Sequence, residues 1–188
     1  MAVDVHASLR LAAPAAASAE PFQRVRAKLP YVRLNDPAVR VMNDFTQEAP
    51  RTIDAALRLD DALDEMFRCG ARAMLVTRGQ QVVGLTTTDD LRGEGITHSA
   101  YRAWRDDLRV ADVMIGVDDI PAIDWETLRD SRVSDLVEIF QGSGVVCLVV
   151  IQSESSAIER IRGLIHRSRL DLQLGACVEG WVGGALLR

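Results

Sequence analysis

Cysteine, histidine and excess positive charge are all scarce in these 188 residues, and each shortage removes a class of function. The three cysteines, Cys69, Cys147 and Cys177, are odd in number and far apart, with no pair at the short spacing that metal sites and redox motifs use. Two of them lie in or beside apolar runs, which reads as buried thiols in a reducing cytosol. His6 and His98 stand in polar surroundings without a second histidine or carboxylate at ligand spacing, so no metal site is expected. A formal charge of -5 and a pI near 5.2, with basic residues scattered among acids, exclude a general affinity for phosphate polymers. Nucleic acid is therefore not an expected partner. No apolar stretch approaches the ~20 residues needed to span a bilayer, and no membrane role is expected. The Ala-rich segment Leu9 to Ala19 has too short and weak an apolar centre for a secretory signal, so the expected location is cytoplasmic. A serine elbow and a P-loop are also missing, and Gly93-Glu94-Gly95 lacks the third glycine of a dinucleotide fingerprint. No nucleophile is paired with a base, so no catalytic residue is nominated and an enzyme is not expected.

What the chain does contain is a duplication. Val41-Met42, Phe67, Met74-Leu75-Val76 and Gly84-Leu85 recur in order as Val113-Met114, Phe140, Cys147-Leu148-Val149 and Gly163-Leu164. The offset is 72 residues at the Val-Met pair (41 to 113), 73 at the phenylalanines (67 to 140) and 79 at the Gly-Leu pair (84 to 163). The jump falls beside the hydrophilic stretch Gln152 to Arg160, where a turn can lengthen without touching a core. A repeat of this size suggests two half-domains that share one core, and a ligand would be sought where the halves meet.

The spacing predicts a short extended piece at Ile53 and then a helix over Leu59 to Cys69, in which Leu59, Ala62, Leu63, Met66 and Phe67 share the apolar face and Gly70 is the stop. Ala73 to Thr77 reads as a buried strand, Arg78 to Gln81 as a hairpin turn, Val82 to Thr86 as the returning strand, and Thr88 to Leu91 as the start of a helix. In the second copy, Ile120 to Ile123 is extended, Val133 to Phe140 helical, Val145 to Ile151 and Ile158 to Ile165 are strands, and Ser168 to Leu174 is helical. The expected organisation is a tail over 1–36 that is poorly ordered or ordered by a partner, a first motif over 37–95, a connecting helix over 96–110, a second motif over 111–175 and an amphipathic tail helix over 176–188.

The sharpest local signal is Gly84-Leu85-Thr86-Thr87-Thr88-Asp89-Asp90-Leu91, a strand that ends in hydroxyls ahead of two acids. A threonine three residues before an acid is an ordinary helix-capping arrangement. The same geometry can serve a ligand, because a helix start favours an anion and an aspartate accepts from ribose hydroxyls.

The order helix, apolar strand, turn, then Gly-apolar-apolar-Thr-x-x-Asp-Leu resembles the cystathionine β-synthase (CBS) domain, over roughly Ala38 to Gly175. The resemblance implies an α/β (α+β) fold of tandem βαββα CBS motifs packed as a pseudo-two-fold pair. It further implies a module without required cofactors that binds AMP, ATP or S-adenosylmethionine and regulates something else. Carried over, it assigns phosphate or ribose contact to Thr87, the ribose hydroxyls to Asp90, phosphate to Arg72, and contributions from the facing half to Ile123 and Val145. The second copy departs from the pattern, with His166 and Arg169 where the hydroxyl and acid stand. A guanidinium accepts nothing, so that position is not expected to hold adenosine, and solvated surface charge is preferred to a more anionic ligand group as the reading of the His166, Arg167 and Arg169 cluster. The leading expectation is an AMP/ATP-like sensor that modulates an unidentified regulated protein or its own homodimer. The alternative is a ligand-free dimerisation scaffold.

Overall fold

The computed structural model describes residues 10–11, 29–93, 107–155 and 158–175. The expected connecting helix over 96–110 lies almost wholly outside them, as do the expected tail helix over 176–188 and most of the N-terminal tail. The described residues fall into two compact units, one gathering 10–11, 50–93, 107–120, 153–155 and 158–161 and the other 29–49, 121–152 and 162–175.

The first unit starts with strand β3 (Thr52–Asp54) and helix α1 (Leu59–Cys69), whose Leu59, Ala62 and Met66 are fully buried. Gly70 ends that helix at φ 66°, a left-handed conformation that favours glycine. Strands β4 (Ala73–Arg78) and β5 (Gln81–Thr87) form an antiparallel hairpin, and helix α2 (Thr88–Arg92) follows. Helix α3 (Val110–Val113) and strand β6 (Ile115–Gly116) complete a four-stranded sheet in the order β3-β4-β5-β6. Met74, Val76, Leu91 and Val110 pack with the buried face of α1 into one core.

The second unit repeats the plan. Strand β7 (Ala122–Asp124) runs parallel to β8 (Cys147–Ser155), β8 is followed by its neighbour β9 (Ile158–His166), and β2 (Asn43–Asp44) pairs antiparallel with β9. The start of β9 belongs to the first unit, where the short strand β1 (Arg10–Leu11) lies parallel to it at Arg160 and Ile161. Helices α4 (Trp125–Asp130), α5 (Val133–Ser143) and α6 (Arg167–Leu174) cover the sheet, and Leu136, Phe140, Leu148, Val150 and Ile165 fill the core. Both units are thus βαββα motifs on a four-strand plan.

The units are not the two halves of the sequence repeat, because the segments ahead of each motif are exchanged. Val41-Met42 and β2, expected in the first motif, pack in the second unit, where Asn43 pairs with Leu164 and Asp44 with Gly163. Val113-Met114 and β6, expected in the second motif, pack in the first unit against Gly84 and Leu85. The cause is visible at the two glycines. A Cβ on Gly84 would lie 2.5 Å from the Ile115 carbonyl oxygen and 2.7 Å from Met114 Sδ, and one on Gly163 would lie 2.5 Å from the Asn43 carbonyl oxygen and 2.7 Å from Met42 Sδ. Each methionine lies over the other motif's glycine, which explains why both pairs recur in the sequence.

Four other expectations need correction. The buried faces of α1 and α5 match at an offset of 74, pairing Leu59 with Val133, Ala62 with Leu136 and Met66 with Phe140, so the two phenylalanines are one residue out of phase. Phe67 is accordingly 51% exposed, with the Arg92 guanidinium 5.4 Å from its ring centre. The middle strands also align at 74, Met74 and Val76 with Leu148 and Val150, since these pairs face their cores. The hydrophilic stretch after Ile151 lengthens strands more than a turn, with β8 running to Ser155 and β9 restarting at Ile158, as the fully buried Ile161 between part-buried Arg160 and Arg162 requires. Finally, residues 29–36 of the expected tail are built into the second unit: Val32 is fully buried, its N–H donates to the Gln173 carbonyl at 3.1 Å, and the buried Gln173 amide donates to the Pro30 carbonyl at 3.0 Å.

Candidate functional site

The β4–β5 register decides which of the expected site residues meet. Ala73 pairs with Thr87, and the Thr88 N–H donates to the Arg72 carbonyl at 3.1 Å, so Arg72 enters β4 beside the point where β5 turns into α2. Thr87 is buried and caps α2, while the Arg72 side chain is exposed and has no ion-pair partner among the described residues. Thr87, Asp90 and Arg72 are therefore brought together at one corner of the first unit.

Within that corner the capping arrangement is fully formed. Asp90 Oδ2 accepts from the Thr87 N–H at 2.7 Å and from the Thr87 hydroxyl at 2.8 Å, and the Asp90 N–H donates back to Thr87 Oγ1 at 3.3 Å. The hydroxyl proton of Thr87 is thus committed to Asp90. Asp90 Oδ1 has no hydrogen-bond partner among the described residues, which leaves two lone pairs for an external donor. The neighbouring hydroxyls differ: Thr88 donates to Asp89 Oδ1 at 3.4 Å, whereas Thr86 is fully buried and its Oγ1 is unpartnered.

Ile123 and Val145 lie in the second unit, both half-buried against its core, Ile123 on β7 paired with Val150 and Val145 just ahead of β8. The corresponding corner there has a different chemistry. His166 caps α6, its Nδ1 accepting from the Ser168 N–H at 3.1 Å, and the Arg167 N–H donates to the Val146 carbonyl at 2.8 Å. None of His166, Arg167 and Arg169 is a freely solvated surface charge, because all three are part-buried. Burial pushes the Arg169 guanidinium below its ordinary range, against a partial restoring effect of Glu48.

Sequence reasoning missed helix α4, although Asp124 carries its signal by accepting from the Glu126 and Thr127 N–H groups at 2.8 and 3.2 Å. It also missed the Arg162 guanidinium, stacked 3.7 Å from the Trp125 ring centre and 3.4 Å from Asp44. These contacts join strand and helix and have no local sequence pattern. Among the described residues there is no group of three potential metal ligands, and no helix is long and apolar enough to cross a membrane.

The architecture is that of the CBS-domain pair. A crystal structure of an uncharacterized conserved protein from Pyrococcus horikoshii is similar at a TM-score of 0.53 and 12% identity, over 82% of this chain and 100% of that one. A hemolysin-like protein containing a CBS domain from Oenococcus oeni PSU is similar at 0.50 and 19% identity, over 75% of this chain and 92% of that one. Protein MJ1225 from Methanocaldococcus jannaschii is similar at 0.51 and 18% identity, over 74% of this chain and 48% of that one. At these identities the likeness is one of fold. No family model matches the sequence, and no curated protein matches it.

Proposed function

We propose that this protein is a non-catalytic regulatory CBS-pair module that binds an adenosyl nucleotide of the AMP or ATP kind through Asp90, Thr87 and Arg72. The observation that carries this reading is the division of labour within the Asp90 carboxylate. One oxygen, Oδ2, holds the cap, and the other, Oδ1, stands without a partner among the described residues, so a ribose diol can be accepted without dismantling α2. The Thr87 hydroxyl already donates to Asp90, which leaves the exposed Arg72 guanidinium as the cation for phosphate. The bound nucleotide shifts the population of whichever homodimer or partner complex holds it more tightly.

Isothermal titration of AMP and ATP into the full chain and into Asp90→Asn tests this. Asparagine retains an oxygen for the cap but presents an amide in place of the second acceptor, so the variant is expected to fold and to lose about 10–100-fold in affinity, the range of a charge-assisted hydrogen bond. Equal affinity in the two proteins removes Asp90 from the site. A second reading, a ligand-free dimerisation scaffold, is favoured by the completeness of the cap and by the exposed Phe67 on α1. Absence of any nucleotide heat together with a dimer in native mass spectrometry would establish it.

A further inference from the structure

We infer that the N-terminal segment 3–11 joins two copies of this chain, pairing antiparallel with the same segment of the second copy about Ala7. Its sequence alternates without a break, Val3, Val5, Ala7, Leu9 and Leu11 being apolar and Asp4, His6, Ser8 and Arg10 polar, which is the period of a strand with one covered face. Strand β1 is the last two residues of that run, and it sets the register. Leu11 stands opposite Ile161, which is fully buried, so the apolar positions all fall on the covered side. The acceptor strand is too short for the run. With Arg10 opposite Arg160, Ser8 meets Ile158, the first residue of β9, and nothing of β9 remains for residues 3–7.

Two features make a second copy the partner. Strand β1 ends the order β1-β9-β8-β7, so its other edge pairs with no strand among the described residues, although β5 lies near it. Unpaired backbone groups along such an edge take up a further strand. The run is also its own complement. Antiparallel pairing about Ala7 sets Val3 opposite Leu11 of the second copy, Val5 opposite Leu9, His6 opposite Ser8, and Asp4, the only acid of the run, opposite Arg10, its only arginine. Pairing about His6 or Ser8 instead loses both Asp4–Arg10 pairs. Within one copy the residue in register with Arg10 is Arg160, a like charge, so the acid that complements it comes from the second copy. The contact is isologous and closes at two copies. It is independent of nucleotide binding at Asp90.

Sedimentation equilibrium of the full chain without nucleotide tests this, and the parent is expected to be a dimer. Asp4→Arg or Arg10→Asp alone is expected to raise the dissociation constant about 2–30-fold, the effect of losing two cross-strand charge pairs per dimer, and both reversals in one chain to restore it to within about 2-fold. Disulfide formation in a Cys69→Ser, Cys177→Ser background reads the register. Ala7→Cys, which meets itself across the two-fold axis, is expected to link two chains, whereas Val5→Cys and Leu9→Cys link only when mixed with each other. A monomeric parent, single reversals that match the parent, a double reversal as weak as the single ones, or Ala7→Cys chains that stay unlinked overturns the inference. Each of these outcomes leaves the nucleotide reading of Asp90 standing, because no nucleotide is present.

Discussion

Replacing Gly84 by alanine adds one methyl group at a crowded backbone crossing in the first unit. Its Cβ would stand 2.5 Å from the Ile115 carbonyl oxygen and 2.7 Å from Met114 Sδ, both well inside contact distance. The methionine can rotate away, but the carbonyl belongs to β6 and moves only if the Gly84–Gly116 and Leu85–Ile115 pairing opens. Overpacking of this kind costs about 1–3 kcal/mol, and a backbone obstacle places Gly84→Ala toward the upper end. Urea unfolding followed by far-UV circular dichroism measures it, with two companions that fix the cause. Gly142→Ala, in helix α5 with no atom within 4 Å of the added carbon, is expected to stabilise by up to about 1 kcal/mol through helix propensity. Shortening Met114 to alanine in the Gly84→Ala background is expected to give no rescue, because the carbonyl remains. Stability of Gly84→Ala within about 0.5 kcal/mol of the parent, or full rescue by the shortened Met114, would refute the role given to the crossing.

Two further substitutions follow from buried polar groups and a third from a titratable one. Thr86→Val keeps the side-chain shape and removes a fully buried hydroxyl without a partner, so stability should rise by about 1 kcal/mol in the same urea assay. Gln173→Met breaks the amide's hydrogen bonds to the Pro30 and Arg40 carbonyls, and a loss of about 1 kcal/mol with faster hydrogen exchange at the Val32 amide is expected. Burial raises the Asp171 carboxyl above its ordinary range, with Arg167 acting the other way, so the native state binds its proton more tightly than the unfolded chain does. That contribution is present below the unfolded pKa and lost as pH rises through the folded one. Asp171→Asn should therefore be slightly more stable than the parent at neutral pH, with the advantage fading as the medium is acidified, as thermal unfolding across the acid range will show.

Element order was legible because apolar periodicity, Gly70 and the Gly84 to Leu91 run each carry a local cause. Helix α1 was read to its observed ends. Phase was less legible. Matching Phe67 to Phe140 shifts the alignment by one residue, and in the adjoining strands a one-residue shift turns every side chain to the opposite face. Met66 fills in α1 the place that Phe140 fills in α5, and no identity-based comparison pairs methionine with phenylalanine. The exchange of the segments around Met42 and Met114 was out of reach for a different reason. Each Val-Met pair and each Gly-Leu pair is compatible with packing inside its own copy or against the other, and only tertiary contacts choose.

The candidate site shows the same limit at the level of single atoms. The sequence presents Thr87 and Asp90 as either a helix cap or a ligand grip, since both need a hydroxyl and a carboxylate three residues apart. The structure makes these uses divisible. The cap takes one carboxylate oxygen and the hydroxyl proton, and what remains is an acceptor on Asp90 beside the cation of Arg72. In the second unit the cap passes to a histidine ring nitrogen, so the residue in the place of Asp90 is released from any capping duty. An arginine can stand there without loss of the cap, so the equivalent positions 90 and 169 of one duplicated motif carry opposite charges.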